Sequence, residues 1–132
     1  MTGLITFTQL AAKDLLGVQP RAAGPEEYTL AAEAWLKRAH DCSADDGVSD
    51  GYSLRGGGRP SYRETTGYIA ATLFALARHR AERAYRERAL RACRWLLGVQ
   101  NADGSFSNPR YGDAGIVFDT GQDLFGLVTQ IA

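Results

Sequence analysis

Gln100-Asn101-Ala102-Asp103-Gly104-Ser105-Phe106 follows Arg94-Trp95-Leu96-Leu97, and an echo of this arrangement stands earlier in the chain. There Ala34-Trp35-Leu36 precedes Asp45-Asp46-Gly47-Val48-Ser49, and Glu64-Thr65-Thr66-Gly67-Tyr68 comes next, as Asp119-Thr120-Gly121-Gln122 does in the second copy. The Trp-Leu pairs lie 60 residues apart, the Asp-Gly pairs 57, and the acidic-Thr positions about 55. Three landmarks recurring in one order at a nearly constant offset mark a fold that stacks one supersecondary unit. The 132 residues read as a single domain, 1–132, holding two copies over approximately 26–79 and 83–132.

Around these landmarks the hydrophobic pattern is helical. Over 3–16, Leu4, Phe7, Leu10, Ala11 and Leu15 fall near one face, and the Gly17 to Pro20 stretch ends the element. Pro25 suits a helical first turn, and Glu26 and Glu27 complement its positive end. From there to His40, Tyr28, Ala31, Ala32, Trp35, Leu36 and Ala39 keep a 3/4 spacing, with Glu33, Lys37 and Arg38 opposite. Residues 41–60 are rich in Gly, Asp and Ser and read as a long loop.

The spacing predicts a different kind of helix over 66–78. Tyr68 to Ala77 has no polar face, and a helix apolar all round is buried all round. An amphipathic helix follows at about 83–98, then a second loop from Gln100 to Phe118. The last helix, about 120–131, is again mostly apolar, with Leu124, Phe125, Leu127, Val128 and Ile131, and Thr120 and Asp123 have capping-box spacing at its start. Amphipathic helices alternating with apolar ones imply an outer and an inner layer. The expected fold is all-α: an arc of two helical hairpins plus an N-terminal helix.

The run Gln100 to Phe106 after Trp95-Leu96-Leu97 resembles the Q-x-x-D-G-S-[W/F] repeat of the α/α-toroid superfamily, which includes triterpene cyclases and the β subunits of protein prenyltransferases. Asp46-Gly47-Val48, Gly51-Tyr52-Ser53-Leu54 and Pro60-Ser61-Tyr62-Arg63-Glu64-Thr65-Thr66-Gly67-Tyr68-Ile69 resemble more closely a family of bacterial toroid proteins linked with surface-polysaccharide biosynthesis. That resemblance covers roughly 26–132 and implies a toroid-like arc and a carbohydrate ligand. Arg63 stands where that family tends to have Pro. The D-x-D-D motif of squalene-type cyclases is absent, as is the Asp/Cys/His zinc set of prenyltransferase β subunits. No cofactor and no metal are therefore expected. A closed ring of six such hairpins needs about 300 residues, so the chain reads as a partial copy: a fragment, a truncated frame, or a unit that associates with itself or a partner subunit to complete the toroid.

Bulk composition narrows the classes further. Lys and Arg number 15, as do Asp and Glu, so the net charge is zero and no global field favours nucleic acid. The Arg-rich stretch 78–94 reads as the solvated face of an outer helix. Cys42 and Cys93 form neither a disulfide framework nor a metal pair, and Cys93 falls on the apolar side of its helix. No signal-peptide pattern and no membrane-length apolar run are present, so a cytoplasmic setting is expected.

Glu64 and Asp119 are the candidate catalytic residues. They occupy positions read as equivalent in the two copies, each beside the start of an inner helix where a toroid opens its cavity. Paired carboxylates can share acid and base roles on a sugar, although an acidic residue there is also favoured by unpaired helix amides. Tyr52, Tyr62, Arg63 and Tyr68 are the candidate substrate-binding residues, since aromatic faces and Arg forks suit glycans. Arg55-Gly56-Gly57-Gly58-Arg59 lacks the remaining signature of a phosphate loop and reads as a connector. The expected function is that of a carbohydrate-acting or polysaccharide-pathway protein. The alternatives are a non-catalytic helical module that binds a partner and an isoprenoid-binding fragment.

Overall fold

Three hydrogen bonds of the first long loop recur at matching positions in the second, and they set the architecture. In the computed structural model, which describes residues 2–19 and 21–129, the helices are α1 (Thr2–Leu15), α2 (Pro25–Asp41), α3 (Arg63–Arg80), α4 (Arg83–Val99) and α5 (Val117–Val128). A two-stranded antiparallel hairpin, β1 (Tyr52–Ser53) and β2 (Gly57–Gly58), sits in the first loop. The chain is mostly helical, as expected. The side chain of Leu4 and the whole of Ile131 lie outside the described residues.

In the first loop the Asp45 carboxylate accepts the Gly47 N–H at 3.1 Å, Val48 N–H donates to Thr66 Oγ1 at 2.9 Å, and Tyr62 N–H donates to Val48 O at 2.9 Å. In the second, Asp103 accepts the Ser105 N–H at 2.9 Å, Phe106 N–H donates to Thr120 Oγ1 at 2.9 Å, and Ile116 N–H donates to Phe106 O at 2.9 Å. Asp46 (φ 68°) and Gly104 (φ 84°) hold the same left-handed turn position.

These bonds correct the sequence register. The true offset is 58 residues at the Asp turns and 54 at Thr66 and Thr120, because the hairpin lengthens the first loop. Glu64 therefore corresponds to Phe118, and Asp119 to Thr65; the two carboxylates are not repeat equivalents. The capping-box reading also falls. Helix α5 begins at Val117, Thr120 N–H already bonds Ile116 O at 2.9 Å, and the Thr120 hydroxyl is occupied by the loop. Both apolar helices begin three residues before the predicted starts; the first turn of α3, Arg63 to Thr66, is polar and carries no hydrophobic signal, whereas α5 opens on the exposed pair Val117 and Phe118.

The core lies among α3, α4 and α5. Val48, Ile69, Ala70, Leu73, Phe74, Tyr85, Ala89, Ala92 and Cys93 form its buried centre, with Leu127 packed against it. A turn through Ala81, left-handed at φ 54°, reverses the chain between α3 and α4. Helices α3 and α5 approach so closely that a Cβ on Gly67 would lie 2.5 Å from Gln122 O. Helix α3 is not buried all round: Tyr68, Thr72 and Ala75 form an exposed stripe. Of the apolar residues of α5, Leu124, Phe125 and Val128 are exposed, whereas Leu127 turns inward.

Helix α2 departs most from expectation. Glu33, placed on the solvent side by periodicity, is buried, while Tyr28 and Trp35 are exposed. Its carboxylate accepts the Tyr85 hydroxyl at 2.6 Å and Arg80 Nε at 2.8 Å, and Lys37 Nζ lies 4.4 Å above the Tyr85 ring. Arg88 binds both oxygens of Asp41 at 2.6 and 3.0 Å. Two arginines of 78–94, Arg80 and Arg88, thus clamp α2 instead of only facing solvent. Among the described side chains of α1, Phe7, Leu10 and Leu15 are exposed, and Arg55 lies 5.5 Å from the Phe7 ring centre. The glycine run read as a connector forms the tip and second strand of the hairpin, with Gly57 at φ 81°.

Candidate functional site

The starts of α3 and α5 bring three carboxylates into one electrostatic neighbourhood. Glu64 occupies the first turn of α3, Asp119 the first turn of α5, and Asp123 the next turn of α5. The second loop reaches across to the start of α3 and to Asp119. Arg63 donates from Nη1 to Ser107 O at 2.6 Å, and Asn108 Nδ2 donates to Asp119 Oδ2 at 3.1 Å and also meets the Tyr62 hydroxyl. Arg110 lies 5.1 Å from the Tyr62 ring centre and pairs with Asp50.

Burial and like charge act together here. Asp123 is fully buried, and neither of its carboxylate oxygens has a hydrogen-bond partner among the described residues. Burial is the main cause that pushes its pKa up to about 7; the charges of Asp119 and Glu64 add to this and Arg63 opposes it. Glu64, only partly buried, is raised by burial and then by Asp119. The Tyr62 phenol is raised by burial first and by Asp119 second. Near neutral pH the Asp123 carboxyl therefore still binds a proton in the folded chain, in a cluster with two other carboxyl groups, an arrangement of the kind found at acid–base sites.

The candidate binding residues divide between two places. Tyr62 and Arg63 belong to the carboxylate cluster. Tyr52 and Tyr68 instead border an open groove of about 510 Å³ between α2, the first loop and α3, together with Trp35, Arg38, Asp50 and Ile69. Trp35 and Tyr52 meet edge to face with ring centres 5.8 Å apart. Thr65, next to Glu64 in the first turn of α3, also lines the groove, so the two places adjoin along α3.

Comparison with protein-family models, curated proteins and solved structures finds no match for the chain.

Sequence reasoning missed Asp123, Asn108 and the groove residues Trp35 and Asp50. For Asp123 a signal existed: Asp119 and Asp123 stand four apart, on one face of a mostly apolar helix. The 3/4 spacing of α2 puts Trp35 on its apolar face, which hides it as a groove residue. Among the described residues no group of His, Cys, Asp and Glu is arranged to hold a metal ion, and no helix is long and apolar enough to cross a membrane.

Proposed function

We propose that the chain is a carbohydrate-acting or polysaccharide-pathway protein of α/α-toroid-like design, with Glu64 and Asp119 as its reacting carboxylates. The observation that carries this reading is the cluster of Glu64, Asp119 and Asp123 at two adjoining inner-helix starts, with Asp123 raised to about 7. Glu64, the most accessible of the three, meets the sugar as proton donor. Asp119, oriented by Asn108, supplies the second carboxylate. Asp123 touches no ligand and acts through its neighbours as a positioning residue. The aromatic groove beside the cluster offers faces against which a pyranose ring stacks. The toroid-like element of the proposal is supported by the repeated loop bonds and by the sequence resemblance.

The test incubates the protein with a panel of bacterial polysaccharides, reading reducing-end release and binding by calorimetry. Glu64→Gln and Asp119→Asn should abolish turnover or binding while leaving thermal stability nearly unchanged. A large stability loss with unchanged ligand behaviour would reduce both residues to helix-start caps.

A second reading, a helical module that associates through an apolar face, is favoured by a separate observation: Phe118, Leu124, Phe125 and Val128 are all exposed on α5.

A further inference from the structure

The 54-residue correspondence set by Thr66 and Thr120 allows each face of α5 to be compared with the same face of α3. On α3, the face carrying Gly67, Ala70, Ala71 and Phe74 is buried, and its Gly67 touches the α5 backbone at Gln122 and Asp123. The corresponding α5 residues are Gly121, Leu124, Phe125 and Val128, and all four are exposed. A Cβ on Gly121 would meet nothing within 4 Å, whereas one on Gly67 would strike backbone.

The opposite faces are reversed in the same way. Gln122 and Gly126 lie on the α5 face that packs toward α3, and Thr129, just past the end of α5, stands beside Phe74 and Ala77 of α3. Their α3 counterparts, Tyr68, Thr72 and Ala75, form the exposed stripe. The folded chain therefore presents both halves of its own α3–α5 interface, one at each end and each without its complement among the described residues.

We propose that a second copy of this chain docks head to tail, placing its Tyr68–Thr72–Ala75 stripe on the Gly121–Leu124–Phe125–Val128 face of the first. The inference rests on the association reading above and not on the carbohydrate one. A repeat unit stabilised by its neighbours leaves such faces at its ends. The two patches differ, so the contact is heterologous: it adds copies in one direction and ends only by ring closure. The copies stand farther apart than α3 and α5 do within one chain. Thr72 replaces Gly126 on one side, and Leu124 and Phe125 replace Ala70 and Ala71 on the other, so side chains fill the wider gap.

The test uses light scattering on a sizing column with the intact protein and two variants, Phe125→Glu and Ala75→Glu. Both positions are exposed, and circular dichroism confirms that each variant keeps its helix content; Val128→Lys and Thr72→Arg replace either one that does not. The unaltered chain should run as a dimer or larger assembly, and each variant alone as a monomer. An equimolar mixture of the two should give a one-to-one heterodimer and nothing larger, because only one intact patch of each kind remains. A monomeric parent chain would overturn both the inference and the association reading. An associating parent whose variants still associate alone, or fail to pair when mixed, would overturn the head-to-tail geometry and leave association by another face.

Discussion

Gly126 lies against the Gly67 carbonyl, so α3 and α5 meet backbone to backbone at this point. The atoms a methyl group would strike there belong to the main chain and cannot swing aside as a side chain can. Gly126→Ala and Gly67→Ala should each cost about 1–3 kcal/mol, the scale of overpacking in a closed interior. Gly98 in α4 is the control: nothing lies within 4 Å of its Cβ position, and Ala there should stabilise by about 0.5–1 kcal/mol through helix propensity. Urea unfolding of the three variants checks the contrast, and equal effects at all three would refute it.

Thr66 and Thr120 each accept a buried amide from the loop before them, Val48 and Phe106 respectively. Thr→Val keeps the shape and removes the acceptor, leaving an N–H in the interior with no partner. Either change should cost about 1–3 kcal/mol. Denaturant midpoints measure it; a penalty at one position and none at the other would mean that the two loops are not mechanically alike.

Asp123 makes stability depend on pH in a definite direction. Its carboxyl holds a proton in the folded chain up to about pH 7, but releases it near the ordinary carboxylate value of 3.8 once unfolded. The proton favours the folded form in acid, and that advantage is lost as pH rises from roughly 4 to 7 and beyond. Asp123→Asn removes the ionisation. Relative to the parent chain it should gain on the order of 3 kcal/mol at pH 8 and little at pH 4. A melting series from pH 4 to 8 reads the difference directly; a flat difference would place the Asp123 proton elsewhere.

Much of the fold was legible because helices announce themselves by periodicity. Five helical segments and two Asp-turn loops can be read from spacing alone. The failures share a cause: a polar side chain whose partner is distant in sequence. Glu33 looks solvent-facing beside Lys37 and Arg38, yet it is buried because Tyr85 and Arg80, on other helices, satisfy its oxygens. Periodicity assigns a face by hydrophobicity and has no means of foreseeing such a bond. The register slip at Glu64 and Asp119 arose similarly, since matched acidic letters outweighed the threonine hydroxyls that carry the true correspondence. Glu64, Tyr62 and Arg63 do share a neighbourhood with Asp119, because the second loop folds over the start of α3. Tyr52 and Tyr68 stand apart because the hairpin carries Tyr52 toward Trp35.

The close approach within each loop has a further consequence. In the first, Gly47 faces Ser61; in the second, Ser105 faces Gly115, so the glycine has changed sides. A Cβ on Gly47 would lie 2.5 Å from the Ser61 Cβ, and Gly115 is pressed by Ser105 in the same way. Each pairing has room for one side chain and no more. An exchange of one loop limb between the copies would set serine against serine or glycine against glycine, a clash or a void. The two limbs of a loop are thus inherited together, and the smallest segment that can be transplanted between the copies is the loop entire.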